Sequence, residues 1–189
     1  VEHAVSHGHQ VFMISWRNPG PKQRDWGLDD YARSVIGAMD ATLEITDSED
    51  LNLMGVCAGG ITMAGLLGHL TATGDTRVNA VTFLVTVLDW SIPSMIGSLM
   101  SSPVIEAANR RSQTRGILAG EDLASIFAWL RPNDLVWNYW SNNYLMGKNP
   151  PAYDVLAWNA DSTNLPAALH SDFMSIAADN ALAQPDRLE

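Results

Sequence analysis

The sequence predicts an α/β fold, with a parallel sheet flanked by helices over residues 1–89 and a helical region over 90–189. Three observations predict it. Short apolar runs alternate with helix-period patterns as far as Asp89, turn-forming residues punctuate them, and no convincing strand pattern follows. The order strand, helix, strand, helix, strand implies parallel strands joined by right-handed crossovers, since a helix carries the chain back to the start of the next strand.

Taken in order, VFMISW at 11–16 reads as a buried strand, stopped by RNPGP at 17–21. From Leu28 onward, Tyr31, Val35, Met39 and Leu43 recur at helical spacing, and Asp29 and Asp30 supply the negative charge that a helix start favours. LNLMGV at 51–56 is the second strand, the small-residue run at 58–70 the next helix, and AVTFLVTVL at 80–88 the third strand. Beyond Asp89, helical segments are expected near 103–113, 121–130, 133–145 and 165–178, separated by Pro, Gly and Asn. Four of the seven tryptophans, Trp129, Trp137, Trp140 and Trp158, fall in this half, and core packing is the expected use of such large rings.

Composition narrows the function. With 189 residues, 47% of them hydrophobic, the chain can bury a substantial core. A formal net charge of -10 argues against a nucleic-acid partner, which requires a basic face to neutralise phosphates. The longest apolar stretch, 80–88, is far too short to span a bilayer, so no membrane span is expected. One cysteine, Cys57, excludes an internal disulfide and favours a reducing, cytoplasmic setting. The chain opens on Val1 without a signal-peptide pattern, and the expectation is a fragment of a longer protein.

Cys57 stands in GVCAGG, directly after the second predicted strand and before a predicted helix. In a turn of the form G-x-nucleophile-x-G, small residues allow a strained bend that presses the nucleophile out above the sheet. Gly55, Cys57 and Gly59 fit that spacing, and the α/β-hydrolase type of parallel sheet is the fold that uses it. At a helix start, the positive dipole end and free N–H groups stabilise a thiolate and then an oxyanion, and the Ala58 N–H is the natural first donor. The alternative use of Cys57 is a structural thiol between packing glycines.

A thiol nucleophile needs a base, and the base an orienting acid. His69 lies on the same helix as Cys57, about three turns along, too far to take its proton. His170, in LPAALHSDFM, follows no strand and reads better as a helix-face residue than as a catalytic base. His3, His7 and His9 have neither the chain order of this fold's triad nor an adjacent acidic or thiol ligand, and no metal site is expected.

VFMISWRNP, WGLDDY, GVCAGG, FAWLRPNDLVWNYW, NNYLMGKNPP and LAWNADSTNLPAALH together resemble the polyhydroxyalkanoate synthases across essentially the whole chain. QRDWGL, CAGGIT and the AALH ending resemble the medium-chain-length (class II-like) branch more than the short-chain one. The resemblance implies an acyltransferase that moves a 3-hydroxyacyl group from 3-hydroxyacyl-CoA to a growing polyester chain through a thioester on Cys57. It implies no cofactor. It further implies that 1–89 is a partial α/β-hydrolase core and 90–189 a cap, with Trp137 in the most recognisable cap motif, a homodimer formed through that cap, and residence at polymer granules. The family's triad Asp and His would lie past Glu189, so the isolated fragment is expected to be inactive. Two other readings stay open: a cysteine-dependent hydrolase or thioesterase on the same fold, and an inert chain that keeps only interaction roles.

Overall fold

The computed structural model describes residues 1–93, 97, 101–150, 152–154, 158, 161–185, 187 and 188. The chain forms two compact units. The first comprises Val1–Arg17, Leu28–Asp89 and Leu182–Glu189, and the second Asn18–Gly27 and Trp90–Ala181.

In the first unit, a short helix α1 (Glu2–Ser6) precedes α2 (Leu28–Thr46), β1 (Leu51–Val56), α3 (Ala58–Thr73) and β2 (Val78–Leu84). On α2, Ala32, Val35, Ile36 and Met39 recur at the spacing of one helical face. Met39 clusters with Leu66 and Leu70 of α3, and Ala32, Val35 and Ile36 pack against that cluster, as do Leu51, Leu53 and Val78 of the strands. Met39, Leu66 and Leu70 are almost wholly removed from water and form the centre of this core. Helix α3 stops where Gly74 turns left-handed at φ 73°, and the N–H groups of Gly74 and Asp75 return to the carbonyls of Thr71 and Leu70. β1 and β2 then pair in parallel, with Leu53 opposite Val81 and Val56 opposite Leu84. Alternation along β1 turns Leu53 and Gly55 towards the helices, while Met54 and Val56 stay exposed on the other face.

Two strand expectations change here. Residues 11–16 form no strand, and Val11, Phe12, Met13, Ile14 and Trp16 are all exposed. A strand exists only where a neighbour takes its N–H and C=O groups, and among the described residues the parallel sheet consists of β1 and β2 alone. The third strand runs 78–84 instead of 80–88, because Val85 adopts φ 45° and takes the chain out of the ladder.

The second unit contains a 3-10 turn (Pro21–Gln23), α4 (Ser102–Arg115), β3 (Ile117–Leu118), α5 (Gly120–Leu130), two π-helical segments (Asn133–Trp137 and Trp140–Leu145), β4 (Leu165–Pro166) and α6 (Ala167–Asp179), and a 3-10 turn (Ala181–Ala183) leads back into the first. Leu118, Ala167, Leu169, Phe173, Ile176, Ala177 and Ala181 are among its buried apolar residues, and α6 supplies most of them. Helix α6 begins on borrowed acceptors: the N–H groups of Ala167, Ala168 and Leu169 donate to the carbonyls of Gly116, Arg24 and Trp26 at 3.1, 2.9 and 3.1 Å. Asn164 completes the join. Its N–H donates to Asn18 Oδ1 at 2.9 Å, its Nδ2 to the Pro19 carbonyl at 3.1 Å, and its Oδ1 accepts the Gly120 N–H at 2.9 Å. Asn18–Gly27 therefore belongs to this unit although α2 follows it directly in the chain.

Two expectations for this half are corrected. β3 and β4 pair antiparallel, Leu118 opposite Leu165, so the region after Asp89 does contain strand, in pieces of two residues that are too short for any periodicity to reveal. The 133–145 segment is helical as expected, and largely of π type, with i→i+5 bonding. Trp129, Trp137, Trp140 and Trp158 are 50–76% exposed and are not core residues of the unit. Trp140 stacks instead on Tyr144, ring centroids 4.6 Å apart. Parts of the NNYLMGKNPP and LAWNADSTNLPAALH stretches, Pro151 and residues 156, 157, 159 and 160, lie outside the described residues.

Candidate active site

Cys57 caps the N-terminus of α3 immediately beyond β1, with φ 54° and ψ -122°. A side-chain-bearing residue at positive φ carries steric strain, on the order of 1–3 kcal/mol, and persists only where its surroundings fix it. Here they do. The Cys57 N–H donates to the Leu84 carbonyl at 3.0 Å, and the Cys57 carbonyl accepts the N–H groups of Gly60 and Ile61 at 2.9 and 3.3 Å. The first bond ties the bend to the end of β2, and the other two close the first turn of α3. The thiol is exposed, and among the described residues no hydrogen bond occupies it. Nor, among those residues, does any acceptor take the Ala58 N–H, so that donor is open beside the thiol at the positive end of the helix.

Glycine is demanded at two points around this bend. A Cβ on Gly55 would lie 2.7 Å from Gly60 Cα and 2.8 Å from Met63 Cε, so strand and helix meet there backbone to backbone. A Cβ on Gly60 would lie 2.1 Å from Thr86 Oγ1 and 2.6 Å from Thr86 Cγ2. Gly59 is different: a Cβ there meets nothing within 4 Å. Sequence reasoning marked Gly55 and Gly59 from the motif spacing, and missed Gly60, Leu84, Val85 and Thr86. The last three sit in an apolar run, and nothing in that run distinguishes a strand end from a strand middle.

Among the described residues of its own unit, no histidine joins Cys57. His69 is exposed on α3, twelve residues beyond the thiol, which is about 18 Å at helical rise. His170 lies in the other unit, 3% exposed on α6, with its Nδ1 2.9 Å from Ser112 Oγ, which also donates towards the Asn109 carbonyl at 3.0 Å. Burial depresses the His170 pKa below its ordinary value. The rings of His3 on α1 and His7 just past its end lie 4.3 Å apart, tilted by 38°, and among the described residues no group of three His, Cys, Asp or Glu is placed to hold a metal ion. Trp137 ends the first π-helical segment, half exposed. No described helix is long and apolar enough to cross a membrane.

A strained residue between a parallel strand and a helix, on a bend that requires glycine, fits the strand–turn–helix of the alpha/beta hydrolase fold, and the alpha/beta hydrolase fold family matches residues 1–182. The chain belongs to the alpha/beta hydrolase fold family. Within this fold, the chain is similar to poly(3-hydroxyalkanoate) polymerase 2 of Ectopseudomonas oleovorans, 52% identical over 190 residues, covering 100% of this chain and 34% of the relative. Poly(3-hydroxyalkanoate) polymerase 1 of the same organism is 50% identical over 180 residues, 95% of this chain and 32% of the relative. The poly(3-hydroxyalkanoate) polymerase subunit PhaC of Cupriavidus necator is 37% identical over 175 residues, 88% of this chain and 29% of the relative. The chain thus spans about a third of the length of the curated relatives it matches, and the resemblance read from its motifs extends over its whole length.

Proposed function

We propose that this chain is the nucleophile-bearing portion of a polyhydroxyalkanoate synthase, an acyltransferase that passes 3-hydroxyacyl units, medium-chain ones by preference, from 3-hydroxyacyl-CoA to a growing polyester. The observation that carries the reading is Cys57, exposed, held at φ 54° and flanked by the unoccupied Ala58 N–H. The polymerase identity of relatives up to 52% identical supports it.

In the loading step, the Cys57 sulfur attacks the thioester carbonyl carbon and the Ala58 N–H receives the developing oxyanion. The oxyanion collapses, the bond from that carbon to the coenzyme A sulfur breaks, and coenzyme A leaves as the thiol, its sulfur taking up the proton that Cys57 has lost. A thioester replaces a thioester, so the acyl group is loaded without a deep energy well and stays transferable to a hydroxyl. No cofactor or metal enters this scheme. The base and its acid partner are the family's His and Asp, and His69, about 18 Å along α3 from the thiol at helical rise, is too far away to be that base. The 189 residues alone are accordingly expected to release coenzyme A only at background rate.

The exposed aromatic surface of Trp129, Trp137, Trp140 and Tyr144 supports the remaining parts of the reading. As a cap, it limits the water that competes for the acyl-cysteine, and it supplies the contact of a homodimer that works at the surface of cytoplasmic polymer granules. The test is to supply the full-length polymerase containing this segment with 3-hydroxyacyl-CoA and collect the product. Insoluble polyester with one coenzyme A released per unit, lost in Cys57→Ala, supports the proposal. Free 3-hydroxy acid in place of polymer would make the protein a cysteine-dependent thioesterase.

A further inference from the structure

The turn after β2 is built against the turn that carries Cys57. The Leu84 carbonyl is shared between the two: it accepts the Cys57 N–H at 3.0 Å and the Thr86 hydroxyl, also at 3.0 Å. Between these donors, Val85 is held at φ 45°, a conformation that crowds a β-branched side chain, and it stands 81% exposed. Thr86 then faces the first turn of α3. Its Oγ1, Cγ2 and Cβ would be 2.1, 2.6 and 2.9 Å from a Cβ on Gly60, so the threonine fills the space that glycine leaves. Gly60 in turn donates its N–H to the Cys57 carbonyl at 2.9 Å. Thr86 is thereby connected to both peptide groups of Cys57: to its N–H through the Leu84 carbonyl, and to its carbonyl through Gly60.

From this closed circuit we infer that Gly60 and Thr86 form a coupled brace that positions Cys57, with Thr86 a positioning residue for the thiol. The inference rests on the reading of Cys57 as nucleophile only for its importance to catalysis; the coupling itself is a property of the chain. The Thr86 hydroxyl fixes the Leu84 carbonyl that anchors the Cys57 N–H. Its methyl group prevents the first turn of α3 from settling towards the sheet. Removing the hydroxyl alone frees the carbonyl, removing the methyl alone loosens the packing, and removing both releases the bend.

Cys57 is the sole thiol of the chain, so its alkylation by iodoacetamide reports the bend directly and needs no polymerase substrate. The experiment measures that rate against pH for Thr86→Ala, Thr86→Ser, Gly60→Ala and the double variant, with circular dichroism confirming the fold. Thr86→Ala is expected to change the rate about threefold or more and to move the midpoint of its pH profile, a readout that loss of packing elsewhere would leave in place. Thr86→Ser, which keeps the hydroxyl, is expected to restore most of the pH profile. In the double variant, Thr86→Ala removes two of the three atoms that crowd the new Cβ, so the combined effect should fall clearly below the product of the single ones. Effects that simply multiply, or a folded Thr86→Ala chain with wild-type rate and profile, overturn the inference. If Gly60→Ala fails to fold, the two Thr86 variants decide it alone. A full-length protein that makes no polymer would sink the proposed function and leave this result standing.

Discussion

In the first unit, the bend that carries Cys57 is fixed by what is absent, a Cβ at Gly55 and another at Gly60. In the second, the join of Asn18–Gly27 to α6 is fixed by what is added, the amide of Asn164 and the carbonyls of Arg24 and Trp26. One device brings backbones together by deleting atoms; the other ties separated segments by supplying donors and acceptors. The difference teaches where each half is vulnerable. The bend fails when anything is inserted, and the join fails when a polar atom is removed and leaves a buried partner unpaired.

The largest expected effect is on chemistry at the bend. On the proposed function, Cys57→Ala in the full-length protein should cut polymer formation by at least about a thousandfold, read as coenzyme A release, with the melting temperature of the protein little changed. Next come the glycines. Gly55→Ala should destabilise the first unit by about 2–4 kcal/mol in urea unfolding, since the new carbon would sit 2.7 Å from the Gly60 backbone. Gly59→Ala, two helical residues past the thiol with open space around it, should instead gain about 0.5 kcal/mol, as alanine does over glycine in a helix. Equal losses at the two positions would break the distinction drawn between them.

In the second unit, Asn164→Ala should cost about 1–3 kcal/mol, because it orphans the buried Gly120 N–H and the Pro19 carbonyl together. Asn164→Asp, which keeps the acceptor for Gly120 but loses the donor to Pro19, should fall between. Hydrogen exchange read peptide by peptide would show the loss in 18–27 and α6 and leave β1 and α3 protected.

Acid should separate the units by smaller increments. Burial lowers the His170 pKa below 6.5, so the unfolded chain takes up its proton first. The second unit therefore has this stability in full above about pH 6.5 and loses it as pH falls through the folded-state value. In the first unit, side-chain and then backbone hydrogen bonds with Arg77 lower the Asp75 carboxyl from 3.8 to about 2. That contribution is present above about pH 4 and disappears only as pH falls towards 2. On acidification, amides of α4 and α6 should lose protection before those of α3, and His170→Gln should flatten the earlier limb. Simultaneous loss in both units would contradict the ordering.

Much of the first unit was legible in sequence because its signals are contiguous. Residues 51–56 and 58–70 needed only an apolar run, a glycine-flanked cysteine and a helical pattern, and the structure gives strand, bend and helix there, the helix running on to Thr73. VFMISW carried an equally good strand pattern and forms none, since pairing is a property of two segments and only one was being read. Thr86 was illegible for a related reason: its part is defined by Gly60, 26 positions away, which has no side chain to betray the contact. Asn18 and Asn164 are 146 residues apart in sequence, and no periodicity connects them. Only the resemblance of SWRNP and DSTNLPAALH to one family singled them out, and the hydrogen bonds between them give those motifs a physical role. The exposed tryptophans were misjudged because hydrophobicity predicts that a ring will be covered, without saying by which surface.

The peptide chain passes between the units four times, after Arg17, Gly27, Asp89 and Ala181, so the second unit is assembled from two pieces that flank much of the first. Anyone grafting the helical part of one relative onto the sheet of another would have to carry the decapeptide Asn18–Gly27 along with Trp90–Ala181. A graft of the long piece alone would seat a foreign Asn164 and α6 on the recipient's own loop, and the mismatch would surface far from the splice points.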